Sequence, residues 1–147
     1  MEIVNRKARY NYEISETYEA GIVLMGTEIK SIRKGNANFN DSYAKIKNSE
    51  VFLINMFISP YEQGNRFNHS ETRTRKLLLN KKEILKIENK IKLDGYTLVP
   101  LKLYFSKNKA KILLGVAKGK KDYDKRETIK ERDLQRESRK NQKYSFR

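Results

Sequence analysis

Val99-Pro-Leu-Lys-Leu-Tyr-Phe105 and Ala110-Lys-Ile-Leu-Leu-Gly-Val116 carry the pattern that decides the fold. Val99, Leu101, Leu103 and Phe105 recur at every second position with Lys102 between them, and Ala110, Ile112, Leu114 and Val116 do the same. A period of two puts alternate side chains on one face of an extended chain, so each segment reads as a strand with one face on a core. Phe52, Ile54, Met56 and Ile58 repeat the pattern, and Thr27 to Arg33 and Ser42 to Lys47 are shorter strand candidates. One helix is well marked: Asn80 caps it, Glu83 completes an N-x-x-E box, and Ile84, Ile87 and Ile91 line one face. It closes at Asp94-Gly95, where glycine suits the left-handed position. A shorter helix is expected from about Thr17 to Met25, with Tyr18, Ile22 and Met25 on one side. Several short antiparallel strands with few helices predict a β-dominated fold with minor α, a small closed antiparallel barrel with flanking helices.

The 147 residues are a one-domain length. With no Cys, a disulfide scaffold, a zinc ribbon and a cysteine nucleophile are excluded. The longest apolar run, Val51 to Ile58, is broken by Asn55 and falls far short of the roughly 18 residues of a membrane span. Met1 to Lys7 lacks the apolar core of a signal peptide, so a cytoplasmic protein without membrane contact is expected. Lys and Arg number 33 against 18 Asp and Glu, a net charge of +15 that attracts polyanions, nucleic acid first among them.

Charge and apolar content shift together near Ala117. Residues 118–147 hold 12 Lys/Arg and 6 Asp/Glu, and only Tyr123, Ile129, Leu134, Tyr144 and Phe146 are apolar. Ordering about 30 residues costs roughly 1–2 kcal/mol each in backbone entropy, more than so few apolar groups offset. The chain therefore divides into a body, 1–117, expected to bind nucleic acid, and a basic tail, 118–147, expected to be disordered when free. The tail's Thr128 to Lys140 stretch permits a helix once a partner supplies contacts.

Enzymatic constellations are thin, and no catalytic residue, metal site or cofactor is expected. His69 is the only histidine and sits in a polar loop, where a structural hydrogen-bonding role is the ordinary one. The glycines form neither a Walker loop nor a dinucleotide fingerprint, and no carboxylates have metal-ligand spacing. Basic clusters are richer. Arg73, Arg75 and Lys76 precede the capped helix, whose positive end their charges can reinforce. Lys118, Lys120 and Lys121 flank Gly119, and Asn5-Arg6-Lys7 with Arg9 forms a third patch. Tyr10, Tyr12, Tyr18, Tyr43 and Tyr123 stand among these charges, and barrels with basic grooves and aromatic platforms commonly hold unpaired or irregular RNA.

Glu19-Ala-Gly-Ile with Gly26-Thr-Glu-Ile-Lys-Ser-Ile-Arg33, Asp41-Ser-Tyr, Asn68-His, Arg73-Thr-Arg-Lys-Leu-Leu-Leu79, Gly95-Tyr-Thr-Leu-Val-Pro-Leu101 and Gly115-Val-Ala-Lys-Gly-Lys-Lys-x-Tyr-Asp-Lys-Arg126 follow one another in order. Their succession, from Asn5 to about Lys140, resembles the SsrA-binding protein family (small protein B, SmpB). That family binds transfer-messenger RNA (tmRNA) and with it rescues bacterial ribosomes stalled on messages lacking a stop codon. The resemblance implies an oligonucleotide-binding (OB)-like barrel whose RNA face includes Asn5, Glu19, Leu78 and Lys111, with Arg73, Arg75 and Lys76 nearby. An acid on such a face does not attract phosphate, but Glu19 can accept hydrogen bonds from base edges or a 2′-hydroxyl.

By the same resemblance Asp124-Lys125-Arg126 enters the decoding centre. The tail beyond it, with Lys130, Arg132 and Arg136, becomes helical in an empty message channel, and Tyr123 can stack on an exposed ribosomal base. Elongation factor Tu is an indirect partner through the aminoacylated tmRNA, and a monomer is expected. Where many members carry a proline after Asn-His, this chain has Ser70, Glu71 and Thr72, and Tyr144 and Phe146 stand where some members have an apolar pair. A structural ribosomal protein, and an RNA-modifying enzyme using His69, are the other readings.

Overall fold

The structure is a computed structural model that describes residues 1–61 and 68–120. Strands β8 (Thr97–Ser106) and β9 (Lys109–Gly119) form the expected long hairpin. It turns on Lys107 and Asn108, at φ 52° and 65°, the left-handed pair a two-residue hairpin turn requires. The remaining elements are β1 (Glu2–Val4), α1 (Arg6–Asn11), β2 (Tyr12–Ile22), α2 (Gly26–Arg33), β3 (Ala37–Asn38), β4 (Tyr43–Lys47), β5 (Glu50–Ile54), β6 (Phe57–Ile58), β7 (Arg75–Leu78) and α3 (Lys81–Asp94).

Seven strands form one antiparallel sheet in the order β1-β8-β9-β2-β7-β5-β4, while β3 and β6 pair separately. The sheet curls until β4 packs against β8, which rolls it into a barrel around the core. Ile112, Leu114 and Val116 of β9 all lie in that core with Val51, Leu53 and Leu77. Helix α3 lies against it through buried Ile87 and half-buried Ile84 and Ile91. Its ends are built as the sequence specified: Asn80 accepts from the Glu83 N–H at 3.0 Å, and Gly95 sits at φ 72°. Among the described residues no helix is long and apolar enough to cross a membrane.

Four local expectations change. The segment expected as a helix from Thr17 to Met25 is instead the second half of β2 and the turn after it. Exposure alternates along β2 from Glu13 to Glu19, and the strand pairs with β9 on one side and β7 on the other. Two-sided pairing overrides the chance helical spacing of Tyr18, Ile22 and Met25. The strand expected from Thr27 to Arg33 is helix α2. Its Glu28 reaches back to the Met25 N–H at 2.8 Å, Lys30 and Arg33 occupy the last turn, and Gly35 follows at φ 77°.

In β5 the buried residues are Val51 and Leu53, not Phe52 and Ile54, whereas Met56 and Ile58 are buried as expected. Asn55, at φ 64°, shifts the phase between the two halves. In β8 a register shift between Pro100 and Lys102 does the same. Leu98 and Leu103 enter the main core, while Val99 and Leu101 turn to a second cluster with Ala117 and Ala8 of α1. Strand β9 continues past Ala117 to Gly119, and the Lys120 N–H bonds the Asn11 carbonyl at 2.8 Å.

Candidate nucleic-acid interface

One transverse row crosses five strands on the outer side of the barrel. Glu2 pairs with Tyr104, Tyr104 with Lys111, Lys111 with Gly21, and Gly21 with Leu78. Directly opposed residues of an antiparallel ladder share a face, and the flanking Leu103, Ile112, Ala20 and Leu77 are all buried, so the row faces outward. Glu19, two residues before Gly21, is on the same face and exposed. Leu78 is 52% exposed and leans over Gly21, where an added Cβ would meet the Leu78 Cβ at 3.4 Å. Three residues expected on an RNA face, Glu19, Leu78 and Lys111, are thus brought together from β2, β7 and β9.

The chemistry of this face is mixed. The Tyr104 hydroxyl donates to the Glu19 carboxylate. Burial, and then that hydrogen bond, push the hydroxyl up to about 12, so it stays protonated and the bond persists at working pH. The Lys102 ammonium lies 5.4 Å from the Tyr104 ring centre and pairs with Glu2 at 3.1 Å. Beside Gly21 and Leu78 runs a groove of about 370 Å³ with an apolar floor that includes Ile22, Leu24 and Phe105, and a rim of Asn108, Lys109 and Lys111. An apolar seat, an oriented carboxylate and rim cations can take a base or ribose together with its phosphate.

Arg73, Arg75 and Lys76 have three different placements. Arg75 is fully buried, and its guanidinium bonds Glu28 and the carbonyls of Met56 and Glu71. It therefore presents no charge to a partner; it ties α2, Met56 just before β6, and the segment before β7 together. Arg73, about one-third exposed, shares the same Glu28. Burial would raise the Glu28 carboxyl, but hydrogen bonds from Arg73, the Met25 N–H and Arg75 outweigh it and hold the group below the usual carboxylate value. Burial lowers the Arg75 guanidinium and Glu28 opposes that shift. Lys76 is exposed on the outer face and pairs with Glu50 at 3.2 Å.

The N-terminal patch and the end of β9 meet at the other extreme of the barrel. Asn5 precedes α1 and its side-chain amide donates to the Pro100 carbonyl at 2.7 Å. It lies three strands away from Glu19 in the sheet order, so the expected single face is not continuous through it. Arg6, Lys7 and Arg9 are exposed on α1. The Lys120–Asn11 backbone bond brings Lys118 and Lys120 alongside, and the Lys118 ammonium sits 4.6 Å from the Tyr96 ring centre. From Lys111 to Lys118 the strand rises about 24 Å, which separates the two surfaces.

His69 is buried, with Nε2 donating to the Ile58 carbonyl and Nδ1 accepting from the Thr27 hydroxyl, both at 2.9 Å. A carbonyl only accepts, which fixes that tautomer and leaves neither ring nitrogen free. Lys121, Tyr123, Asp124, Lys125, Arg126, Lys130, Arg132 and Arg136 lie outside the described residues, as do Tyr144 and Phe146. Tyr104, Gly21 and Lys109 are missing from the sequence-based site; the outward phase of β8 and β9 was a signal for Tyr104 and Lys109, which alternate with core residues, and Gly21 on β2 had none.

A family model described as SmpB protein matches residues 2–144. An SsrA-binding protein of Geobacillus sp. (strain WCH70) is 65% identical over 133 residues, 90% of this chain and 86% of that protein. An SsrA-binding protein of Staphylococcus aureus (strain Newman) is 58% identical over 142 residues, 97% of this chain and 92% of its own length. A solved structure described as "tmRNA-SmpB: a journey to the center of the bacterial ribosome" superimposes with a TM-score of 0.69 at 50% identity, covering 82% of this chain and 85% of its own.

Proposed function

This chain belongs to the SmpB family, and from that premise we propose that it binds tmRNA and acts with it on the ribosome in trans-translation. The face formed by Glu19, Gly21, Leu78, Tyr104 and Lys111 holds the transfer-RNA-like domain. The observation that carries this reading is the outer-face row itself, which sets an apolar seat and an oriented carboxylate among cations instead of a uniform positive field. Phosphate attraction alone gives affinity without selectivity; groups that read base edges or a 2′-hydroxyl add the selectivity.

The basic patch at the far end of β9 leads into the tail. Tyr123, Asp124, Lys125 and Arg126 occupy the decoding centre, and Lys130, Arg132 and Arg136 follow the empty message channel, so that the nascent peptide is tagged. Strand β9 carries the body past Ala117 to Gly119, and the basic tail follows. The protein works in the cytoplasm as a binding factor with no reaction of its own, and elongation factor Tu meets it only through aminoacylated tmRNA.

The test is RNA affinity against salt, with the transfer-RNA-like domain and an elongator tRNA as ligands. The full chain, a chain ending at Lys120 and Glu19→Ala are compared. Each phosphate contact contributes roughly 0.7–0.9 to the log–log slope. The full and shortened chains are expected to prefer the transfer-RNA-like domain at every salt concentration, and Glu19→Ala to lose that preference. Affinity that collapses with salt and shows no preference would instead fit a structural ribosomal protein.

A further inference from the structure

We propose that the outward face of α2 is a second RNA-contact surface, one that takes the phosphate backbone of a double-helical segment. It borders the Glu19–Leu78 groove at Phe105 but uses cations that the groove does not. The proposal rests on the reading of the chain as an RNA-binding factor and adds a surface which that reading does not use.

Lys30, Arg33 and Lys34 stand at i, i+3 and i+4 and share one stripe of α2, opposite buried Glu28, Ser31 and Ile32. All three are exposed, and among the described residues none has a carboxylate within ion-pair distance. Lys76, Lys90, Lys92 and Lys102, by contrast, each have a Glu partner. The Arg33 guanidinium lies 4.7 Å from the Phe105 ring centre, which anchors the stripe beside the β8–β9 turn and its exposed Lys107. On the other flank the Lys30 and Lys34 ammonium groups lie 5.3 and 5.0 Å from the Tyr61 ring centre.

These contacts decide the class of partner. Single-stranded RNA is held by aromatic faces on which bases stack. Here both rings carry the stripe's own cations, so the surface presents charge and offers no stacking platform. No exposed apolar side chain stands in the stripe, so it lacks what an interfacial membrane helix inserts. Fixed cations on a convex helix, with no carboxylate partner among the described residues, fit phosphates along a duplex, where RNA is recognised through its backbone and shape. Cations in the last turn also favour the α2 dipole, a purely structural role that the experiment separates.

The experiment uses the full chain and a blunt RNA duplex of about 16 base pairs, roughly the span one double-strand-binding module covers. Affinity is measured against salt for the wild type, Lys30→Gln/Lys34→Gln, Lys30→Arg/Lys34→Arg, and Lys81→Gln/Lys82→Gln, which removes the same charge from α3. The Gln pair on α2 is expected to lower the log–log slope by about 1.5–2, the value for two phosphate contacts. The Arg pair should keep the wild-type slope, the α3 pair should change it little, and preference for the transfer-RNA-like domain should survive in all four. An unchanged slope in the α2 Gln pair, or an equal loss in the α3 pair, overturns the proposal. Loss of transfer-RNA-like preference in the α2 pair would merge this surface with the first and overturn its separateness. If the wild type shows no such preference, the functional reading fails instead. Duplex affinity unchanged with binding to an acidic protein lost would assign the stripe to a protein partner.

Discussion

The Tyr104 hydroxyl donates to Glu19 across β9, joining β8 to β2 over an intervening strand on the outer face of the barrel. The bond engages Glu19 Oε2 and leaves Oε1 to accept from a further donor. Tyr104→Phe removes this orienting contact and nothing from the core. It is expected to weaken binding of the transfer-RNA-like domain roughly fivefold, the worth of about 1 kcal/mol of hydrogen bonding, with the salt slope unchanged. Filter binding over a salt series checks both parts.

Leu78 separates recognition from stability. At 52% exposure it contributes little to the fold, so Leu78→Ala should change unfolding free energy by less than about 0.5 kcal/mol. Its buried area in a complex corresponds to about 1–2 kcal/mol, so RNA affinity should fall roughly tenfold. Urea titration and RNA binding on the same preparation distinguish the two effects.

Glu28 behaves in the opposite way. Glu28→Gln leaves the buried Arg75 without its counter-charge and should cost about 3 kcal/mol or more in urea unfolding. Because the folded carboxyl is held below its ordinary value of 4.5, its stabilisation is fully present above that pH. It is lost as pH falls through the lower folded value. Wild-type stability should therefore decline below pH 4.5 more steeply than that of Glu28→Gln.

His69→Ala tests the enzymatic reading. Removing the ring leaves the buried Ile58 carbonyl and the Thr27 hydroxyl without that partner, at a cost of about 2 kcal/mol. At a temperature where the variant stays folded, peptide tagging should proceed at the wild-type rate. A large loss of tagging by the folded variant would place His69 in the chemistry.

What could be read from the sequence divides by the range of the interaction. Helix α3 was legible because its signals are local: Asn80, Glu83 and Gly95 each act within a few residues. The core face of β9 was legible because no bulge or positive φ interrupts Ile112, Leu114 and Val116. The assignments of α2 and of β2 after Thr17 were exchanged because both segments fit more than one period, and pairing with β7 and β9 decided between them. The phase of β5 depended on a left-handed Asn55, and that of β8 on a register shift at Pro100. Arg75 looked like a surface cation because its partner, Glu28, stands 47 residues earlier. The family blocks located Glu19, Leu78 and Lys111, but Gly21 emerged only when five strands aligned.

Strand β9 has a mechanical consequence. It is laddered to β2 and β8 along most of its length, and the register shifts at Ile14/Glu16 and Pro100/Lys102 fall on its neighbours, so Lys111 and Lys118 belong to one continuous beam. A tilt of about 10° where one end is clamped sweeps the other by about 4 Å over a 24 Å span. Angular precision at the Leu78 end is thereby converted into positional precision at the end from which the chain departs.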